Sequence, residues 1–128
     1  MLDLQGYHHP VLDKQDLVAS GTAADFALFG PVPTGHVWML GVASAVNDTG
    51  SRGTPILSLV RGGQEFKIDG GGVLTVNVPQ NIDGMIYVPE SCYIKVYVLG
   101  ATALDVLHMI IGGLDLVRDT PGPSVAGA

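Results

Sequence analysis

The sequence predicts an all-β chain, an antiparallel β-sandwich or jelly roll of about eight strands, and three observations carry that expectation. Apolar runs are short and are cut by turn signals at roughly 8–12-residue intervals, the spacing of sandwich and barrel strands. The 128 residues include 18 Gly and 8 Pro, a composition of short elements joined by many turns. No stretch of helical length shows a 3.6-residue apolar period; residues 105–111 alone admit a short helix as an alternative.

Taken in order, residues 1–20 (MLDLQGYHHPVLDKQDLVAS) mix acids with His, Gly and Pro and hold no period, so an extended N-terminal arm is expected there. Residues 21–118 form the sandwich. Its candidate strands are Ala24–Phe29, Val37–Val46, Pro55–Val60, Gln64–Ile68, Val73–Val78, Met85–Val88, Tyr93–Leu99 and Leu104–Ile111, with a short last one near Leu114–Val117. Gly62-Gly63 between two strand-like runs is a hairpin signal, and DGGG at 69–72 is another turn. NDTGSRG at 47–53 is rich in residues that tolerate left-handed and Asx conformations. Residues 119–128 (DTPGPSVAGA) have the composition of a short linker-like tail.

Composition narrows the function classes. Only 14% of residues are charged and 47% are hydrophobic, with mean hydropathy +0.38, against about 25% charged in ordinary soluble domains. A spanning helix is nevertheless not expected: the most apolar stretch, 28–47, contains Gly30, Pro31, Pro33, Gly35 and Gly41, and a helix so interrupted leaves backbone groups unsatisfied in lipid. The first ten residues carry an acid where a secretory signal carries bases, so assembly in a cytoplasm is expected. The net charge of −6 opposes binding to a phosphate backbone, which runs on clustered Lys and Arg. The single Cys92 cannot form an internal disulfide and reads as a buried thiol.

No catalytic set is legible. His8, His9, His36 and His108 lack the same-face spacing of a strand-borne metal site. Ser44, Ser58 and Ser91 lack a nucleophile-elbow setting, and Asn47-Asp48-Thr49 and Arg61-Gly62-Gly63 read as turns. No group of residues supplies a nucleophile, a base and an oxyanion donor together. The expectation is a non-enzymatic protein without cofactors.

The informative feature is two strands that are apolar on both sides. Trp38, Leu40, Val42 and Val46 alternate with Val37, Met39, Ala43 and Ala45; Val106 and Ile110 alternate with Leu107, Met109 and Ile111. A two-sheet sandwich buries one face of each sheet, so the second face needs a partner. Self-association is expected through Val37, Met39, Ala43, Leu107, Met109 and Ile111. The arm's candidate extended apolar anchors are Leu2, Leu4, Tyr7, Val11, Leu12 and Leu17.

The stretch VPTGHVWMLGVASAVNDTG resembles the VPAGKxWxVxxVxxxNxxG stretch of small β-sandwich virion proteins of tailed bacteriophages. TPILSLVRGGQEFKI resembles their xxxLxLxxGGxxxxL hairpin, and IYVPESCYIKVYVLGATALDVLHMIIGGLDL resembles their closing LxLxxGDxIxVxxxxxxAVDVxVSGxEL. The resemblance covers about residues 30–116. It departs at Pro89-Glu90-Ser91, where the family has a Gly-Asp turn, and at Gly113-Leu114-Asp115-Leu116, where GxEL is usual. It implies a capsid decoration (cement) protein on the virion surface, assembled in the host cytoplasm and commonly a homotrimer, whose terminal arm grips the major capsid protein or adjacent copies; composition adds the expectation of no direct nucleic-acid or membrane contact. The alternatives are a tail, baseplate or neck structural protein, and a carbohydrate-binding jelly-roll module.

Overall fold

A computed structural model describes residues 8–21, 25–82 and 84–117. Among them are nine strands and no helix: β1 (His8–Val18), β2 (Asp25–Phe29), β3 (His36–Asn47), β4 (Thr54–Arg61), β5 (Gln64–Gly70), β6 (Gln80–Asn81), β7 (Ile86–Val88), β8 (Tyr93–Leu99) and β9 (Val106–Val117). One sheet runs β1-β9-β3-β6, with β7 also pairing β3; the other runs β2-β8-β4-β5. Every pairing is antiparallel. The fold is the antiparallel β-sandwich that the turn spacing predicts.

The core lies between the sheets. Leu40, Ala43, Ala45, Leu107, Met109 and Ile111 enter it from the first sheet, and Ala27, Phe29, Leu57, Ile94, Val96 and Val98 from the second. In β8 the alternation of buried and more open residues is regular, as YIKVYVL requires of a strand with one face on a core. Gly62 and Gly63 have φ of +58° and +80°, the left-handed pair that a two-residue hairpin demands.

Three segments differ from the sequence expectation. Residues 8–18 are a strand rather than an arm: β1 pairs with β9 along its whole length, from His8↔Leu116 to Val18↔Val106. Its inward side is a mixture because β1 lies at the sheet edge. Val11 and Leu17 pack on the core, whereas the Gln15 side-chain amide donates to the Leu28 carbonyl of β2 at 2.6 Å and joins the two sheets. Residues 73–78 are not a strand. Asn77 has φ +62°, and the N–H groups of Leu74, Val76 and Asn77 bond to Gly53 O, Ser51 Oγ and Asn47 O instead of to a ladder. Finally, the two closing candidate strands are one, β9, continuous through Gly112-Gly113.

A β-bulge at Gly41 shifts the register of β3 against β9 between Leu40 and Val42. Leu40 and Ala43 therefore both face the core although they are three residues apart, since a bulge resets the alternation. Opposite it, a Cβ on Gly113 would collide with the Met39 carbonyl oxygen and lie 2.7 Å from Leu40 Cα. Only glycine allows the two backbones to approach so closely.

Candidate interaction surface

β3 and β9 lie side by side in the middle of the five-stranded sheet, flanked by β1 on one side and by β6 and β7 on the other. With Leu107, Met109 and Ile111 turned into the core, strand alternation sends Ile110, Leu114 and Leu116 to the outer face. Beyond the bulge, Val42 joins Val37 and Met39 on that face. The rows across the strands are Pro10–Leu114–Met39–Tyr87 and Leu12–Gly112–Val42. Leu12 is 80% exposed, Tyr87 64% and Val42 42%. A Cβ on Gly112 would sit 3.7 Å from both Leu12 Cδ1 and Val42 Cβ, so these two side chains flank the glycine. The result is an apolar sheet face that is open at Leu12, Val42 and Tyr87, whereas Ser44 and Val46, farther along β3 on the same side, are buried.

One end of this face is charged. His108 of β9 lies between two carboxylates, with Nδ1 2.5 Å from Asp16 Oδ1 of β1 and Nε2 against Asp48 Oδ2, just beyond β3. A carboxylate accepts and does not donate, so both contacts are served only when both ring nitrogens carry protons. The Asp16 hydrogen bond raises the His108 pKa above its ordinary 6.5, with Asp48 acting the same way against partial burial. Asp16 is lowered in turn, first by His108 and then by Lys14, whose Nζ is 3.3 Å away. A second pair, His36 Nδ1–Asp115 Oδ1 at 2.7 Å, joins β3 and β9.

The expected interface residues separate into two groups. Val37 and Met39 are partly buried on the outer face. Ala43, Leu107, Met109 and Ile111 are fully buried in the chain's own core, so they are corrected from interface to core. On β9 both sides are apolar, so alternation cannot say which is inward; on β3 the Gly41 bulge moves Ala43 across. Of the expected arm anchors, Val11 and Leu17 pack on the core, Leu12 is open, and Leu2, Leu4 and Tyr7 lie outside the described residues.

The remaining polar clusters serve the fold. Asp105, 1% exposed, accepts from Arg52 Nε at 2.8 Å and Nη2 at 2.5 Å, from Asn47 Nδ2 at 3.0 Å and from the Thr102 N–H at 3.0 Å. Arg52, Asn47 and Thr102 hold its pKa down at about 2 against the cost of burial. With both oxygens engaged, this carboxylate ties the 47–53 turn to the loop before β9. Asn47 Oδ1 accepts from the N–H groups of Thr49 and Gly50, the Asx turn the sequence suggests. On the outer face of the other sheet Lys95 Nζ sits 4.6 Å from the Phe26 ring centroid, 5.2 Å from that of Tyr97 and 2.9 Å from Glu65 Oε1. Alternation along β8 sets Lys95 and Tyr97 opposite the core row Ile94, Val96 and Val98, whereas the contacts with Phe26 and Glu65 depend on strand pairings that the sequence does not show.

Among the described residues there is no group of three potential metal ligands, no pocket, and no helix long and apolar enough to cross a membrane. Cys92 is buried. No protein-family model matches the chain, and no curated protein matches its sequence.

Proposed function

We propose that the chain is a non-enzymatic virion structural protein, a capsid decoration (cement) protein that binds the outer capsid lattice as an oligomer and stabilises it. The observation that carries the reading is the apolar outer face of β1, β9 and β3, centred on Met39, Leu114, Val42 and Leu12. Contiguous exposed apolar patches above a few hundred Å² are uncommon on monomers and mark docking surfaces. The resemblance of residues 30–116 to small phage sandwich proteins supplies the setting, with a second copy and the major capsid protein as partners. Burying this face between neighbouring subunits would resist their separation as the packaged nucleic acid presses outward.

Because β1 belongs to the sheet, residues available to an arm reduce to those before His8. Removing residues 1–20 would strip β1 from β9 and uncover Val11 and Leu17, so removing residues 1–7 is the better test of arm binding. Particles made with and without the chain, compared by cryo-electron microscopy and heated side by side, test the whole reading. Density on the capsid lattice and heads that open at lower temperature without the chain are expected. Density confined to tail or neck moves the protein there, and its absence from particles rejects a virion role.

A further inference from the structure

β5 ends the four-stranded sheet and is bonded on one side only, to β4. All seven of its residues are exposed, Phe66 at 53% and Ile68 at 39%, so the sandwich buries neither of its faces. Such an edge presents unpaired backbone donors and acceptors to any extended chain.

The hairpin fixes which groups point outward. Its two-residue Gly62-Gly63 turn closes on the Arg61–Gln64 pair, which in this kind of hairpin exchanges both backbone hydrogen bonds. Alternation then turns the backbone groups of Gln64 and Phe66 toward β4 and those of Glu65 and Lys67 away from it. The regular stretch ends after Lys67, where the register between β4 and β5 shifts.

We propose that β5 pairs antiparallel with β5 of a second copy of this chain about a two-fold axis at Phe66, setting Lys67 of each copy opposite Glu65 of the other. In this register the outward groups of Glu65 and Lys67 meet as hydrogen-bonded pairs. The two Phe66 residues meet at the non-hydrogen-bonded position, where side chains approach closest. Other symmetric registers are disfavoured: those centred on Glu65 or on Lys67 set like charges directly opposite, one centred on Gln64 runs Glu65 against the Gly62-Gly63 turn, and one centred on Ile68 falls on the register shift. An axis falling between residues sets outward backbone groups against inward ones and breaks the ladder. A lysine on an edge strand ordinarily discourages pairing; here the register centred on Phe66 converts it into a complementary contact within the regular stretch. Glu65 already accepts from Lys95 through Oε1, and Ser58 also lies within reach of its carboxylate; an ionised carboxylate has about four lone-pair sites, so it can accept from Lys67 of the other copy as well. The surface is separate from the outer face of β1, β9 and β3, and the proposal does not rest on a virion role.

Sedimentation velocity on the full chain tests it. Lys67→Glu and Glu65→Lys, both at exposed positions, are each expected at least to halve the mass of the assembly while leaving the circular dichroism spectrum unchanged. An equimolar mixture of the two variants is expected to regain the lost mass, because two acids on one edge then face two lysines on the other. Equal mass for the unaltered chain and both variants overturns the proposal, and so does a mixture that stays at the mass of its components.

Discussion

Replacing Asp105 by Asn tests whether the buried carboxylate network holds the β3 and β9 ends together. The substitution keeps the shape of the side chain but turns an amide group toward Arg52, where an ionised oxygen now accepts at 2.5 Å. Removing one partner of a fully buried ion pair costs about 3–5 kcal/mol, mostly because the other charge is left stranded. Here Arg52 keeps 40% of its side chain in solvent, so it rehydrates and the smaller figure from linkage applies. Asp105 is held at about 2 from an ordinary 3.8, and at about 1.4 kcal/mol per pH unit that corresponds to about 2 kcal/mol. The sign follows from the depressed value: the contribution is fully present above 3.8 and is lost as pH falls through about 2. Urea unfolding followed by Trp38 fluorescence is expected to place Asp105→Asn about 2 kcal/mol below the unaltered chain at neutral pH. The gap should close as pH approaches the folded value. A gap that stays constant across the acid range, or none at neutral pH, would refute the reasoning.

Further outcomes are expected. Met39→Asp should leave the fold intact and lower the mass of the assembly in sedimentation, because Met39 lies on the outer face, whereas Met109→Asp should fail to fold because Met109 is fully buried. The milder Met109→Ala should cost about 2–5 kcal/mol in urea unfolding; a Met109 variant that folds normally but loses mass would reverse the assignment of faces. His108 has a raised folded pKa, so its contribution is present below 6.5 and lost as pH rises through the folded value. The stability advantage of the unaltered chain over His108→Gln should therefore be seen in mildly acidic buffer and vanish in alkaline buffer, and an NMR titration of the ring should fall above 6.5.

Much of the architecture is legible in the sequence where the relevant physics is local. The alternation of Tyr93–Leu99 gives β8 and its core face, Gly62-Gly63 gives the β4–β5 hairpin, and Asn47 to Gly50 gives the Asx turn. Each depends on residues within a few positions of one another. The apolar face proposed for docking was half legible. That β3 and β9 are apolar on both sides is written in their residues, whereas which side meets the core is not.

Tertiary structure made that choice. On β9 either parity offers an apolar row, and the pairing with β3 and β1 selected Leu107, Met109 and Ile111 as the inward one; the Gly41 bulge then carried Ala43 inward as well. Likewise β1 has no period of its own and becomes a strand because β9, about a hundred residues along the chain, supplies a complete ladder. The apolar run at 73–78 has the pattern of a strand but its N–H groups find partners in the 47–53 turn. Asp105 meets Arg52 and Asn47 across 53 and 58 positions, a separation at which spacing carries no signal. Side-chain alternation and turn chemistry act over a few residues, and they suffice to specify an all-β sandwich with more apolar strand surface than one core can bury. The assignment of each surface to the interior or the exterior required the long-range pairings, because only they decide which of two apolar faces has a neighbour.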